Sequence, residues 1–346
     1  MDVIIIDPND IDFYSLGFNV IETKTMFMAN FKDGKWSEGE LIPYGDFKIS
    51  PAACILNYGQ GIFEGMKALG AKNGKITLFR PKENAMRFNE SADRLLMPNY
   101  DVDKFLDAVK KVVLANKDYV PPYDSGGALY IRPLMIGSGP ILGVKPALEY
   151  KLIIFTSPVG PYFPEGFKGI DLEISKKYTR AAPGGTGAAK TCCNYAGSML
   201  PAKEAKANGF SQIIYLDAVE REFIEEVGAA NFFAVINGNL VTPKTEGTIL
   251  PGITRKSILE LASKKLGISI EERDISYKEV FENNCSEAFC SGTAAVITPI
   301  RSIALEDKTR IFSKGEPGEI TRKLYELLTG IQRLEVDDEF NWVVKI

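Results

Sequence analysis

Apolar residues along this chain follow two periods, and the switches between them outline its elements. From residue 23 to 31 they alternate with polar ones, the two-residue period of a strand, and "DGK" at 33–35 turns the chain back. The stretch "MKALGAKNGKITLF" (66–79) reads as strand, turn and strand, and "ILNYGQGIFEG" (55–65) before it as a short buried helix. "PKENAMRFNESADRLL" (81–96) places Pro81 at a helix start and spaces its apolar residues for one helical face, as does "DKFLDAVKKVVLANK" (103–117). Two strongly apolar strands follow, at 127–137 and 150–160.

Next, "SPVGPYFPEGFKG" (157–169) holds three prolines and three glycines with little periodicity, the composition of a linker. Beyond it the pattern predicts a strand at 171–177, a helix from Asn194 to Asn208, a hairpin over 211–227 and another centred on "INGN" at 236–239. A helix over 253–267 stops at Gly267, and an amphipathic helix over 318–333 closes the series. Strands and helices mix without a strict βαβ repeat, so the expected class is α+β in two domains. Residues 1–157 would form a smaller N-terminal domain, 158–169 the linker and 170–346 a larger C-terminal domain.

Composition narrows the function. With 45% apolar residues, 25% charged residues and a net charge of −4, the chain reads as a soluble globular protein with small-molecule ligands, not nucleic acid or a membrane. No apolar run reaches the roughly 18 residues that span a bilayer, and the acidic "MDVIIIDPNDIDFY" is unlike an export or transit signal. Five cysteines without metal-site spacing fit reduced thiols in a cytoplasm. There is no histidine, so proton transfer must use Lys, Asp, Glu, Tyr or Cys, and no metal site is expected.

The densest candidate chemistry is "PGGTGAAKTCCNY" (183–195), with three glycines ahead of Lys190. A nucleotide-binding P-loop would need a strand, G-x-x-x-x-G-K-[S/T] and a helix. Here Ala189 replaces the glycine before the lysine, and Asp217 in "IIYLD" follows too soon to lie on a second strand of such a sheet. Taken alone, the stretch also fits a glycine-rich turn with a surface lysine.

It does not stand alone, however: "LNYGQGIFEGMKAL", "NAMRFNESA", "ALYIRPLMIG", "EEVGAANFF", "LPGITRKSILELA" and "CSGTAAVITPI" occur with it in one fixed order. As a set these resemble the branched-chain amino acid aminotransferases, pyridoxal 5'-phosphate enzymes of fold type IV. The likeness runs from about Phe18 to the C-terminus and is closest in spacing to the eukaryotic-type branch. It implies a D-amino acid aminotransferase-like fold whose C-terminal domain binds the cofactor, and reversible amino transfer from L-leucine, L-isoleucine or L-valine to 2-oxoglutarate in two half-reactions.

The resemblance also implies roles. Lys190 forms the internal Schiff base and moves the substrate's α-proton, for which its amine must be neutral. Glu226 faces the pyridine nitrogen, with Glu225 beside it a solvated neighbour, and Tyr195, taken to lie about 1.4 helical turns past the lysine, bonds the phenolic oxygen. Ile253 and Thr254 at a helix start, Thr293 and Arg87 hold the phosphate, and Arg180 is a further cofactor contact, with a surface ion pair as its alternative. Phe18, Tyr58, Phe63, Tyr130, Arg132, Val144 and Tyr162 match substrate-pocket positions, with Arg132 and Tyr130 accepting the side-chain carboxylate of glutamate and Thr293 and Ala294 amides the α-carboxylate.

Relatives are homodimers, and Tyr58 could serve the neighbouring site. Two departures stand out: Ala295–Thr298 replaces a C-x-x-C pair of mammalian relatives, and Ala229 replaces a hydroxyl residue near the glutamate. Vicinal Cys192 and Cys193 are read as buried packing residues. A D-amino acid aminotransferase or aminodeoxychorismate lyase shares the lysine and glutamate but differs at the substrate wall. A nucleotide-binding regulator and a pyridoxal phosphate carrier without catalysis also stay open.

Overall fold

A computed structural model describes residues 6–161, 166–282 and 284–346. In chain order the elements are β1 (Thr25–Lys32), β2 (Lys35–Trp36), β3 (Glu40–Pro43), α1 (Cys54–Tyr58), β4 (Gly61–Phe63), β5 (Met66–Gly70), β6 (Ile76–Phe79), α2 (Pro81–Arg94), α3 (Val102–Ala115), β7 (Ala128–Gly137) and β8 (Tyr150–Val159). There follow β9 (Ile170–Ser175), α4 (Cys193–Ala196), α5 (Met199–Ala207), β10 (Gln212–Leu216), β11 (Ile224–Val227), β12 (Ala230–Ile236), β13 (Asn239–Thr242), α6 (Ile253–Leu266), β14 (Ile270–Glu272) and α7 (Tyr277–Val280). The chain ends with β15 (Cys285–Gly292), β16 (Val296–Leu305), β17 (Lys308–Ile311), α8 (Glu319–Gln332) and β18 (Val343–Lys345). Among the described residues no helix is long and apolar enough to cross a membrane.

The chain divides into two units. The first comprises Met1–Tyr162, Ala189–Cys193 and Gly330–Ile346, the second Phe163–Ala188 and Asn194–Thr329. A single cut at the Pro/Gly-rich stretch therefore differs from the structure in two places. Ala189–Cys193 returns to the first unit because Thr191 bridges Ile62, and the C-terminal segment returns because β18 pairs with β6. Both are pairings between residues distant in sequence, to which local periodicity is blind.

The first unit is an antiparallel sheet in the order β18-β6-β5-β7-β8-β1-β2, with β3 on β1 and β4 on β7. Phe88 of α2 and Phe105, Val109 and Val113 of α3 share one core with Leu129, Ile131, Leu152 and Ile154 of the sheet. Helix α2 starts with Pro81, whose missing N–H costs nothing there, and α3 is capped by the Asp101 carboxylate, which accepts from Lys104 N at 2.9 Å. Residues 55–65 are not one buried helix. Gly59, at φ +68, caps α1 after five residues, Leu56 and Tyr58 face solvent, and β4 follows.

The second unit's mixed sheet runs β11-β10-β9-β16-β15-β12-β13-β14, and an extra β11–β12 pairing closes six of these strands into a ring. Phe233 and Phe289, cross-strand partners on β12 and β15, stack with centroids 4.8 Å apart and are fully buried. The helix expected over 194–208 is two, α4 and α5, interrupted at Gly197 and Ser198, where Ser198 bonds back to the Tyr195 carbonyl through its N–H and hydroxyl. Helix α6 ends as expected at Gly267, which is left-handed at φ +64.

Phe289→Ala should lower the stability of the second unit by about 3–5 kcal/mol, the usual cost of emptying a buried aromatic site. Urea unfolding followed by circular dichroism measures this, and a loss below about 1 kcal/mol would show that the stacked pair is dispensable.

Candidate active site

Lys190 is held in extended backbone beside β4. Its carbonyl accepts from Phe63 N at 3.0 Å, and its own N–H donates to Ser91 Oγ at 2.9 Å. Thr191 Oγ1 donates to the Gly61 carbonyl at 2.8 Å, as does Cys192 N at 3.0 Å. The lysine thus precedes α4 and is not on it, so the helical offset expected between Lys190 and Tyr195 does not apply. Cys193, the first residue of α4, is exposed and Cys192 only partly buried, which corrects the expectation of two packed thiols.

Helix α2 presents Asn84, Arg87 and Ser91 at positions i, i+3 and i+7, one face of the helix. Ser91 fixes the Lys190 backbone, and the other two converge on Glu64. Arg87 donates through Nε to Glu64 Oε1 at 2.8 Å and through Nη2 to Oε2 at 2.9 Å, and Asn84 Nδ2 donates to Oε2 at 2.8 Å. Glu64 is fully buried and Arg87 nearly so. Burial opposes ionisation of Glu64, but Arg87, with Lys190 and Asn84, outweighs it and holds the carboxyl below its usual range. Burial and the Arg87 charge push the Lys190 amine down to about 8, while Glu64 and Tyr130 pull the other way. Glu64 was not singled out from the sequence, although a carboxylate inside the apolar run "GIFEGM" is a readable signal.

Around the amine stands an aromatic and cationic wall. Lys190 Nζ lies 4.9 Å from the Phe63 ring centroid, and the Arg132 guanidinium lies 4.9 Å from the same ring and 5.3 Å from that of Tyr130. Phe18 meets Tyr130 edge-on at 5.5 Å, and Arg132 Nη2 lies 3.3 Å from the Tyr130 hydroxyl. Arg132 Nε is buried, with no hydrogen-bond partner among the described residues. Tyr58 and Val144 are placed elsewhere in this unit, on an exposed surface where the Tyr58 hydroxyl donates to the Leu142 carbonyl. Tyr162 lies outside the described residues.

In the second unit Glu226 is buried on β11. Its Oε2 is 2.7 Å from Arg180 Nη1, and its Oε1 accepts from Asn231 Nδ2 at 3.1 Å. Arg180 also donates to the carbonyls of Thr248 at 3.0 Å and Gly187 at 3.3 Å, so its ion pair is buried and not at the surface. A Cβ at Gly187 would lie 2.1 Å from the Thr248 carbonyl oxygen, so this glycine is required by close packing. Glu225, expected in solvent, is buried, and burial raises its pKa. The register slips between Tyr215 and Leu216, leaving Glu225 as the extra residue of a bulge between Ile224 and Glu226.

Tyr195 sits in α4, partly buried. Gly252 precedes α6 without a side-chain cap, leaving the Ile253 and Thr254 amides at an uncapped helix start. Thr293, Ala294 and Ala295 form the turn between β15 and β16, and Val296 behind them is held at φ +63, a costly conformation for a β-branched residue. The Asp217 carboxylate accepts from the amides of Val219, Glu220, Glu222 and Phe223, so it closes a turn and is not presented to a metal.

With a desolvated amine, an extended segment where a P-loop would have a helix, and Asp217 committed to a turn, the nucleotide reading loses its parts. The model of the family described as amino-transferase class IV matches residues 61–303. The chain belongs to the class IV aminotransferases. Over 97% of its length this aminotransferase is 45% identical to branched-chain-amino-acid aminotransferase 2, chloroplastic, of Arabidopsis thaliana, covering 86% of that protein. Its fold matches the solved branched-chain amino acid aminotransferase of Escherichia coli with a TM-score of 0.79 at 30% identity, covering 93% of this chain and 99% of that one. The branched-chain amino acid aminotransferase of Thermobaculum terrenum, solved in its PLP-form, matches with a TM-score of 0.78 at 25% identity, covering 94% and 98%. The α+β, type IV fold expected from the sequence is thereby shown.

Breaking the buried Glu64–Arg87 pair should cost about 3–5 kcal/mol, since it strands a guanidinium. Urea unfolding of Glu64→Gln at pH 7 should show this loss. Because the carboxyl's pKa is lowered in the folded chain, its stabilisation holds above the usual carboxylate range and fades as pH falls below it, so wild type and variant should converge only there. A gap that closes near pH 6 would contradict the assignment.

Proposed function

We propose that this aminotransferase moves the amino group of L-leucine, L-isoleucine or L-valine reversibly to 2-oxoglutarate, with pyridoxal 5'-phosphate as cofactor. One observation carries the reading: the amine of Lys190 is pushed down to about 8 against the wall of Phe63, Tyr130 and Arg132. At pH 7 such an amine is neutral in about one molecule in ten, against fewer than about one in a thousand for an ordinary lysine. Only the neutral form can attack an aldehyde or accept a proton.

The residues present fit the cofactor's chemistry. Lys190 Nζ would hold its aldehyde, the Glu226 carboxylate its ring nitrogen and the Tyr195 hydroxyl its phenolic oxygen. The Ile253 and Thr254 amides, the Thr254 hydroxyl, Thr293 and Arg87 would hold the phosphate, for which an uncapped helix start is suited. We assign Arg180 an indirect part, as the guanidinium that pairs with Glu226 and holds its carboxylate in place. Once bound, the cofactor supplies an aldehyde for the substrate's amino group and a ring that draws electrons from its α-carbon.

The chain's own residues then select and steer. Lys190 Nζ takes the proton from the substrate α-carbon and returns it in the reverse half-reaction. The Thr293 and Ala294 amides, in the turn ahead of Val296, orient the α-carboxylate. Phe18, Phe63 and Tyr130 give an aliphatic side chain apolar area worth about 1.5–3 kcal/mol. The buried Nε of Arg132, without a hydrogen-bond partner among the described residues, supports its role as the group that meets the second carboxylate of glutamate.

A homodimer is supported by the surface that carries Tyr58 and Val144. Leu142 and Val144 are 89% and 87% exposed, and Leu56 and Leu148 are exposed as well, an apolar display that a second subunit would cover. We place the enzyme in the cytoplasm, where its five free thiols would stay reduced.

Visible absorption of the purified protein before and after borohydride is the first test. Wild type should show a chromophore that borohydride fixes to the chain, and Lys190→Ala should lose the adduct and about 10²–10⁴-fold or more of turnover. Wild-type turnover of D-alanine in place of L-leucine, with 2-oxoglutarate as acceptor, would overturn the substrate assignment. Arg132→Met should leave kcat/KM for L-leucine within a few fold yet lower it for L-glutamate by about 10–100-fold, the worth of a hydrogen bond to a charged group. Equal losses for the two donors would count against Arg132 as the carboxylate contact.

A further inference from the structure

Glu226, Asn231 and Ser291 stand side by side on three adjacent strands, β11, β12 and β15, as register partners. Partners in register point to the same face, about 5 Å apart. The middle one, Asn231, is buried, and its carboxamide has two acceptors on its nitrogen. Nδ2 donates to Glu226 Oε1 at 3.1 Å and to the Leu250 carbonyl at 2.9 Å. Leu250 lies two residues before Gly252, the residue that opens α6.

The amide oxygen lies against the start of α6. A Cβ built on Gly252 would stand 2.0 Å from Asn231 Oδ1, so the glycine is there because the carboxamide fills the space a side chain would take. Few residues can replace Asn231 under these constraints. Aspartate would set an oxygen against both the Glu226 carboxylate and the Leu250 carbonyl. Glutamine, one methylene longer, would carry its amide past Glu226 and Leu250.

We propose that Asn231 is a positioning residue that couples the carboxylate for the cofactor's ring nitrogen to the helix start for its phosphate. This rests on the aminotransferase reading given above. Tilting the amide to follow Glu226 would break its bond to Leu250, and moving the helix start would pull the amide off Glu226. One side chain therefore sets the distance between the two ends of the site, and neither end can be adjusted alone.

The test uses the full-length protein as wild type, Asn231→Asp, Gly252→Ala and their double variant, with Glu226→Gln as the control confined to one end. Two quantities are read: the visible spectrum of the bound cofactor, which reports the nitrogen end, and the ratio of dissociation constants for pyridoxal and pyridoxal 5'-phosphate, which reports the phosphate end. Asn231→Asp and Gly252→Ala should each shift the spectrum and reduce the ratio by about fivefold or more, a usual size for coupled sites. The double variant should be no worse than the more affected single one. Glu226→Gln should alter the spectrum and leave the ratio near wild type.

Should the aspartate variant not fold, Asn231→Ser, smaller and left with a single donor, takes its place with the same two readouts. The proposal is overturned if Gly252→Ala changes the ratio alone, if the Asn231 variant changes the spectrum alone, or if the two add independently. A wild type that takes up no pyridoxal 5'-phosphate would instead overturn the aminotransferase reading.

Discussion

Removing Glu64, Arg87 and Lys190 from water together is the constraint on which the first unit turns. A lone buried charge is costly, and a bidentate pair such as Glu64–Arg87 offsets part of that cost only with its geometry complete, as Asn84 makes it here. The third group, Lys190, has both cations and an anion nearby, and burial, helped by the Arg87 charge, brings its amine down to about 8. The sheet and α2 serve this arrangement. Strand β4 carries Glu64 just beyond its end and pins the lysine's backbone, and one face of α2 supplies the remaining partners.

The second unit holds the opposite charge by related means. Glu226 keeps a carboxylate buried because Arg180 meets one oxygen and Asn231 the other. Arg180 in turn is fixed by two carbonyls brought together by the close approach at Gly187. Gly187, ahead of Lys190, thus serves packing around a guanidinium, a role unlike that of a nucleotide loop's glycines.

Much of the fold was legible because its signals are local. Pro81 and Gly267 mark helix ends, and the hairpins at 211–227 and 236–239 carry their own turns. What escaped was of two kinds. Backbone breaks at Gly59 and at Gly197–Ser198 divide stretches whose apolar pattern is continuous, since periodicity records faces and not interruptions. The return of 189–193 and 330–346 to the first unit depends on pairing partners more than a hundred residues away.

The site shows the same division. Lys190, Arg132, Tyr130, Phe63 and Phe18 come together in one cluster, yet Arg87 is clamped by a glutamate that no motif pointed to. A bulge, invisible in the alternation, buries Glu225 beside Glu226.

Everything proposed for the chemistry requires the Lys190 amine to lose its proton far more easily than lysine does in water. The most direct measurement is a nitrogen-15 NMR titration of the lysine side chains in the full-length protein freed of cofactor, with Lys190→Ala used to assign the resonance. The account predicts a midpoint near 8 for Lys190. A midpoint at the ordinary lysine value of about 10.4 would contradict it.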